Sequence, residues 1–262
     1  MKCLKLLFNQ KGLGHEYNIE VFLVDDGCTD GTPDSIRVQY PEVNIIQGNG
    51  NLYWNRGMHL AWETSVKVKD FDYYLWLNDD TFLLEEAIKS LLEAAKQTQN
   101  QAAICGSTFS LETNKISYGG NSTEGSLLVP NGSLQETYSF NGNVVLVPKF
   151  VYATVGILDP FFPHAIGDFE YGLRIRKYGL KSFITKDFIG SCEGSEKLPS
   201  WTSPSLSLAK RIHSLYSPLG NSHPYYFFVF ELKNYGLITA IKHTITIHLR
   251  LIFPQLWLQK SN

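Results

Sequence analysis

The 262-residue chain has four cysteines and no paired cysteine spacing: Cys3, Cys28, Cys105 and Cys192 lie far apart. That excludes a paired-cysteine zinc site and suits a reducing compartment, in which the sequons at Asn121 and Asn131 carry no meaning. Sustained basic runs are absent and the formal net charge is -2, so no nucleic-acid partner is expected, and a small acidic or phosphorylated ligand stays open. The opening ten residues are short, mixed and without a small-residue cleavage site, so no secretory signal is read and a cytoplasmic location is expected. Several motifs are missing too. No Walker-type loop and no Gly-x-Ser-x-Gly elbow occurs, and Gly48-Asn49-Gly50-Asn51-Leu52-Tyr53 supplies only the first two glycines of a dinucleotide fingerprint. The seven histidines form no two-histidine helix motif, and each reads as structural, with His213 and His223 kept in view as extra metal or phosphate contacts.

What is present is an ordinary folding composition, 44% hydrophobic and 18% charged, long enough for a substantial core with one domain and an appendage or with two. Leu4, Leu7 and Phe8 fall at helical spacing, so the chain opens in a short amphipathic helix. Residues 19–24 read as a buried strand that ends at Asp25-Asp26-Gly27. Thr32 at the cap position and Pro33 at the first helical position start a helix, and residues 43–46 form a second short strand. A helix from about residue 57 to 68, a strand at residues 73–77 and a periodic helix over residues 83–95 continue the alternation. Strands alternating with helices predict an α/β protein with a mostly parallel sheet. From residue 102 the texture changes to hairpins and loops, closed by a helix at 168–178, a left-handed cap at Gly179 and a strand at 180–185. The tail from Trp201 is aromatic and prolyl, then becomes an apolar, weakly basic helix candidate at 237–253. Lys242, His243, His248 and Arg250 interrupt it, where a membrane span needs ~20 mainly apolar residues. It reads either as a helix packed on the domain or as one resting at a bilayer surface.

Chemistry is expected at Asn78-Asp79-Asp80, where the apolar strand at residues 73–77 stops at adjacent carboxylates. Ligands of open α/β sheets bind beyond the carboxyl ends of strands, and paired aspartates there suit a metal held against a phosphate. The alternative is a helix cap: Asp80 or Thr81 would cap the helix that follows. Asp168 carries the same ambiguity between a cap, which would lower its pKa, and a base.

Three segments in this order resemble the family 2 inverting glycosyltransferases of the GT-A fold, closest to the bacterial rhamnosyltransferase-like branch. They are Val24-Asp25-Asp26-Gly27-Cys28-Thr29-Asp30-Gly31-Thr32, then Asn78-Asp79-Asp80, then Gly167-Asp168-Phe169-Glu170-Tyr171-Gly172-Leu173-Arg174. Asn51 to Trp54, Asn141-Gly142-Asn143 and Ser217-Pro218-Leu219-Gly220 add support. The resemblance implies a GT-A domain over residues 1–200, with a nucleotide-binding sheet flanked by helices and a smaller mixed acceptor-side region, and a helical C-terminal extension over 201–262. It further implies transfer of a hexosyl group, with inversion, from a nucleotide-diphosphate sugar to a glycan or lipid-linked acceptor in polysaccharide biosynthesis. By the same resemblance Asp25 and Asp26 lie at the nucleotide, Asp26 against the base. Asp79 and Asp80 form the Asp-x-Asp-like element, with Asp80 as ligand for Mg²⁺ or Mn²⁺. Asp168 is the base and Glu170 the fallback, while Asn51, Trp54 and Asn143 line the sugar and acceptor pockets. Peripheral contact with the inner face of the cell membrane through the C-terminal helix is a further expectation.

One departure stands out. The family begins with a strand ahead of its first helix, whereas this chain starts within that helix. A fragment or a misassigned start is therefore expected, with the strand beside residues 73–77 lacking. Two competing functions follow: a truncated, catalytically silent nucleotide-sugar-binding protein, and a nucleotidyltransferase, which would need a glycine-rich phosphate loop.

Overall fold

The computed structural model describes residues 1–194 and 199–255; residues 256–262 of the expected extension lie outside the described residues. The strand β3 (Tyr73–Leu77) shows why its residues are apolar throughout. Side chains of a strand alternate between the faces of a sheet. Tyr74 and Trp76 enter one core with Trp62 and Tyr171, whereas Tyr73, Leu75 and Leu77 pack on the other with Leu91 and Ile104. Both faces of the sheet are covered, so an uninterrupted apolar run is required.

In chain order the other strands are β1 (Phe22–Asp25), β2 (Asn44–Gln47), β4 (Phe82–Leu83), β5 (Ala102–Phe109), β6 (Ile116–Tyr118), β7 (Gly120–Asn121), β8 (Gln135–Glu136), β9 (Ser139–Phe140), β10 (Val144–Pro148) and β11 (Lys181–Ser191). The helices are α1 (Lys2–Phe8), α2 (Thr32–Gln39), α3 (Tyr53–Val68), α4 (Ala87–Gln97), α5 (Lys149–Val155), α6 (Gly167–Lys177), α7 (Leu208–Leu215), α8 (Pro224–Tyr235) and α9 (Leu237–Ile252). The main sheet runs β3-β10-β5-β11-β4, with β6 added on β5 and β8 on β11. The α/β class is as expected, but strand direction is more mixed than the alternation of elements suggested. β5 and β11 are parallel, while β10 lies antiparallel between β3 and β5. β1 and β2 form a separate parallel pair. They share the apolar core with β3 through Leu23 and Ile45, yet among the described residues no ladder joins β1 to β3.

The helix after Asn78-Asp79-Asp80 begins only at Ala87, so neither Asp80 nor Thr81 caps it, and that expectation is corrected. Phe82–Leu83 intervenes as β4, paired with β11. The cap comes from far along the chain. Gln10 accepts the Ile88 amide through Oε1 at 3.0 Å and donates through Nε2 to the Leu84 carbonyl at 2.7 Å. Likewise α2 starts after Gly31, whose φ of 76° takes the cap position expected for Thr32.

The C-terminal helices pack on the domain through Phe230, which is buried with Phe162, Ile166 and Leu173, and through Lys233, which bonds Asp159 at 2.7 Å. α9 buries Ala240, Ile247 and Leu251. No helix among the described residues is long and apolar enough to cross a membrane. Replacing Gln10 by Ala removes the remote cap and is expected to cost about 1 kcal/mol of stability, typical of a lost N-cap. Urea unfolding, with hydrogen exchange at the Ile88 amide, measures it; an unchanged midpoint would show that the cap contributes nothing.

Candidate active site

Three loops and two helix starts meet at one end of the sheet. The first loop leaves β1. Asp25 accepts the amides of Gly27 and Cys28 at 3.1 and 2.8 Å, and these bonds hold its carboxyl below the usual aspartate range. Asp26 reaches across to the loop before α3 and accepts the amides of Gly50, Leu52 and Tyr53 at 2.7, 2.8 and 3.2 Å. Both carboxylates therefore bind backbone, and Asp26 fixes the left-handed Tyr53 (φ 58°) from which α3 departs. The exposed Asn51 lies in the same loop, its amide on Asn49.

The first turn of α3 carries Trp54. Its Nε1 donates to Asn78 Oδ1 at 2.7 Å, which ties it to the carboxyl end of β3, and its backbone amide donates to His164 Nδ1 at 3.3 Å. Burial lowers the pKa of His164 and keeps the ring neutral, as an acceptor at that nitrogen must be. The indole also lies against Gly142, where an added Cβ would sit 2.4 Å from the ring. Only glycine permits that approach. Next to Trp54, Asn55 is fully buried and donates to the Asp159 and Phe162 carbonyls at 2.7 and 2.6 Å.

Asn78 donates its amide to the Asn143 carbonyl at 2.9 Å, which connects β3 to the loop before β10. Asn143 turns its side chain inward onto the Cys192 thiol at 3.5 Å, and is itself buried. Asp79 and Asp80 follow, exposed and without an ion pair among the described residues. Burial pushes the thiols of Cys3 and Cys192 up to about 11, helped by the charges of Asp79 and Asp80 at Cys3 and by that of Asp80 at Cys192.

α6 supplies the opposite wall. Ile166 precedes it at φ 78°, a genuine outlier for a β-branched residue. That turn presses Gly167 onto Asn55, where an added Cβ would lie 1.9 Å from Oδ1. Asp168 is then delivered towards Gly142, whose amide donates to Oδ2 at 2.8 Å, while the Phe169 amide donates to Oδ1 at 2.9 Å. The residue preceding the helix is Ile166, so Asp168 is not the cap. Burial raises its pKa to about 6 against the opposing pull of these amides, the reverse of the lowering a cap position predicts. Glu170 is not brought to the same place. Residues two apart on a helix do not share a face, and Glu170 is buried on Arg174 at 3.0 Å, with its pKa raised by burial and pulled back by that guanidinium.

The arrangement therefore joins Trp54, Asn78 and Asp168 around Gly142, adds Asp26 through the backbone just before Trp54, keeps Asp25 within its own loop, places Asp79 and Asp80 at its rim, and leaves Glu170 outside. The sequence reading missed Asn55, His164 and the Gly142 amide as supports. His213 and His223 sit on the C-terminal helices instead, His223 against Tyr216 and Tyr226. A family model described as glycosyl transferase family 2 matches residues 1–150, more than half the chain. The chain belongs to glycosyl transferase family 2. It is thus a glycosyltransferase with a GT-A type fold, acting between a nucleotide-sugar donor and an acceptor. No curated protein matches it significantly.

Asp168 generates a pH prediction. An acid with a folded pKa above its unfolded value holds its proton more tightly in the fold. Its burial is therefore harmless below pH 3.8, where both states are protonated, and costs stability as pH rises through about 6. Asp168→Asn, which can still accept the Gly142 amide, should be more stable than the wild type by about 2–3 kcal/mol at pH 8 and equal to it near pH 3.5. Thermal melting at both pH values checks this; equal midpoints at pH 8 would contradict it.

Proposed function

We propose that this family member is an inverting, rhamnosyltransferase-like hexosyltransferase that uses Asp168 as its general base. The observation that carries the reading is the Asp168 carboxyl, held between two backbone amides with a pKa of about 6. At neutral pH such a group is mostly ionised yet basic enough to accept a proton from the acceptor hydroxyl as it attacks the anomeric carbon. A single displacement by that oxygen inverts configuration and releases the nucleoside diphosphate. Trp54, held by Asn78 and set against Gly142, supports a wall for the sugar between donor and acceptor; the exposed Asn51 adds to the expected pocket, Asn143 supports it through its backbone carbonyl on Asn78 rather than through its inward-turned side chain, and Asp25 and Asp26 shape the nucleotide loop.

Asp79 and Asp80 suit Mg²⁺ or Mn²⁺, with Asp80 as the ligand. They are adjacent hard oxygen donors, exposed and without an ion pair among the described residues. Among the described residues no three side chains could hold a metal by themselves, which favours an ion shared with substrate phosphates over a protein cage. When bound, the ion would neutralise charge on the departing diphosphate. The proposed acceptor is a glycan or a lipid-linked glycan in polysaccharide assembly.

Peripheral contact with the inner face of the membrane belongs to the same proposal. Ile238, Ile241, Ile245, Leu249 and Ile252 are exposed at spacings of three and four along α9, with Lys242 and Arg250 beside them. Residues 1–194 hold 23 acidic and 16 basic side chains, whereas residues 199–255 hold Lys210, Arg211, Lys233, Lys242 and Arg250 against Glu231 alone. A basic, apolar face suits an anionic bilayer surface.

Calorimetry with nucleoside diphosphates, with and without Mn²⁺, and a screen of nucleotide sugars for diphosphate release test the enzyme reading. Asp168→Asn should retain donor binding and lose turnover by about 10²-fold or more, the usual worth of a general base. Asp80→Asn should weaken metal-dependent binding while sparing the metal-free component. Turnover persisting in Asp168→Asn would remove the base assignment, and no diphosphate binding at all would favour a silent protein.

A further inference from the structure

A cavity of about 540 Å³ lies between α6, α8 and α9, lined in part by Phe169, Phe227, Phe230, Glu231, Thr239 and His243. It is not the site described above. Ile166, Phe169 and Leu173 face it at spacings of three and four on α6, whereas Asp168 leaves the other side of the same helix towards Gly142. Most of its lining also comes from beyond residue 150, outside the family match.

Its chemistry is specific. Glu231 is 4% exposed, and its Oε2 accepts no hydrogen bond. His243 Nδ1 stands 3.0 Å away, within ion-pair distance when the ring is protonated but off the line that a hydrogen bond needs, so neither atom has a hydrogen-bond partner. Buried polar atoms without partners are costly, and a cavity that contains two of them invites a ligand that supplies the missing bonds. An anion is disfavoured by the buried carboxylate, and a cation would compete with His243 for it. A wholly apolar chain would leave both atoms unpaired. A neutral ring with hydroxyls on its edge and C–H groups on its faces satisfies every wall: hydroxyls for Glu231 and His243, faces for Phe169, Phe227 and Phe230.

We propose that this cavity is a second sugar subsite, binding a neutral saccharide unit through Glu231 and the surrounding phenylalanines, on the far side of α6 from the base. The volume falls within the range of ordinary small-ligand pockets. Resting on the proposed glycan acceptor, the cavity anchors a portion of the acceptor remote from the reacting hydroxyl. Binding energy from such a remote unit positions the reacting end.

An array of neutral and acidic mono- to tetrasaccharides, followed by calorimetry with the best binder and with 1-octanol as an apolar control, tests this. A neutral saccharide should bind the wild type. Glu231→Gln should weaken it about tenfold or more, and Thr239→Trp, which fills the cavity from its rim, should abolish binding with no change in melting temperature. An array without a neutral binder, octanol binding in place of sugar, or sugar binding undiminished in both variants would each overturn the inference. If the wild type binds a nucleoside diphosphate but no array sugar, the cavity inference alone fails. Sugar binding lost in the variants without any diphosphate binding would sink the enzyme reading and leave the subsite standing.

Discussion

The buried amide of Asn55 is the constraint on which the site depends. It bonds two carbonyls of the loop at residues 159–163 and lies against Gly167, so it fixes the start of α3 to the start of α6. Its chain neighbour Trp54 and the neighbour of Gly167, Asp168, meet at Gly142 as a consequence. The same loop supports the C-terminal helices, through Phe162 beneath Phe230 and Asp159 on Lys233. Loss of this unexposed amide would leave the buried Phe162 carbonyl unpaired, at about 1–3 kcal/mol, and weaken the hold on the Asp159 carbonyl.

Charge is divided between the two walls of the cleft in a way that suits group transfer. Asp79 and Asp80 are exposed at the end of β3, without an ion pair among the described residues, which suits the proposed recruitment of a divalent ion together with a diphosphate. Asp168 is half-buried, and its raised pKa follows from the partial burial of the carboxyl, which two amides only partly offset. Two carboxyl sites with different environments suit the two different roles proposed for them. The left-handed Ile166 contributes to this geometry: a β-branched residue in that region stores about 1–3 kcal/mol, sustained here by packing among Phe162, Leu173 and Phe230.

Much of the fold was legible in local pattern. The period-two filling of β3, the opening helix with Leu4 and Leu7, and Gly179 in its left-handed turn (φ 75°) all follow from nearest-neighbour chemistry. What was not legible depends on partners distant in sequence. No local signal says that Gln10 caps α4, 78 residues away, so Asp80 and Thr81 looked like the natural caps. Nor does an apolar run state its direction, and β10 could enter the sheet antiparallel unannounced. For the site, residue types at strand and helix ends marked Asp79, Asp80 and Asp168. The environment of Asp168 was hidden, because its decisive partner is the amide of Gly142, and any residue except proline offers an amide. Glu170 lies beside Asp168 in sequence but on Arg174 in space.

The account turns on Asp168 being a half-buried carboxyl poised near neutrality. Carbon-detected NMR titration of aspartate-labelled protein, with its signal assigned by comparison with Asp168→Asn, measures this directly. The geometry predicts a midpoint of about 6 for that carboxyl, whereas a midpoint near or below 4 would contradict both its burial and its role as the base.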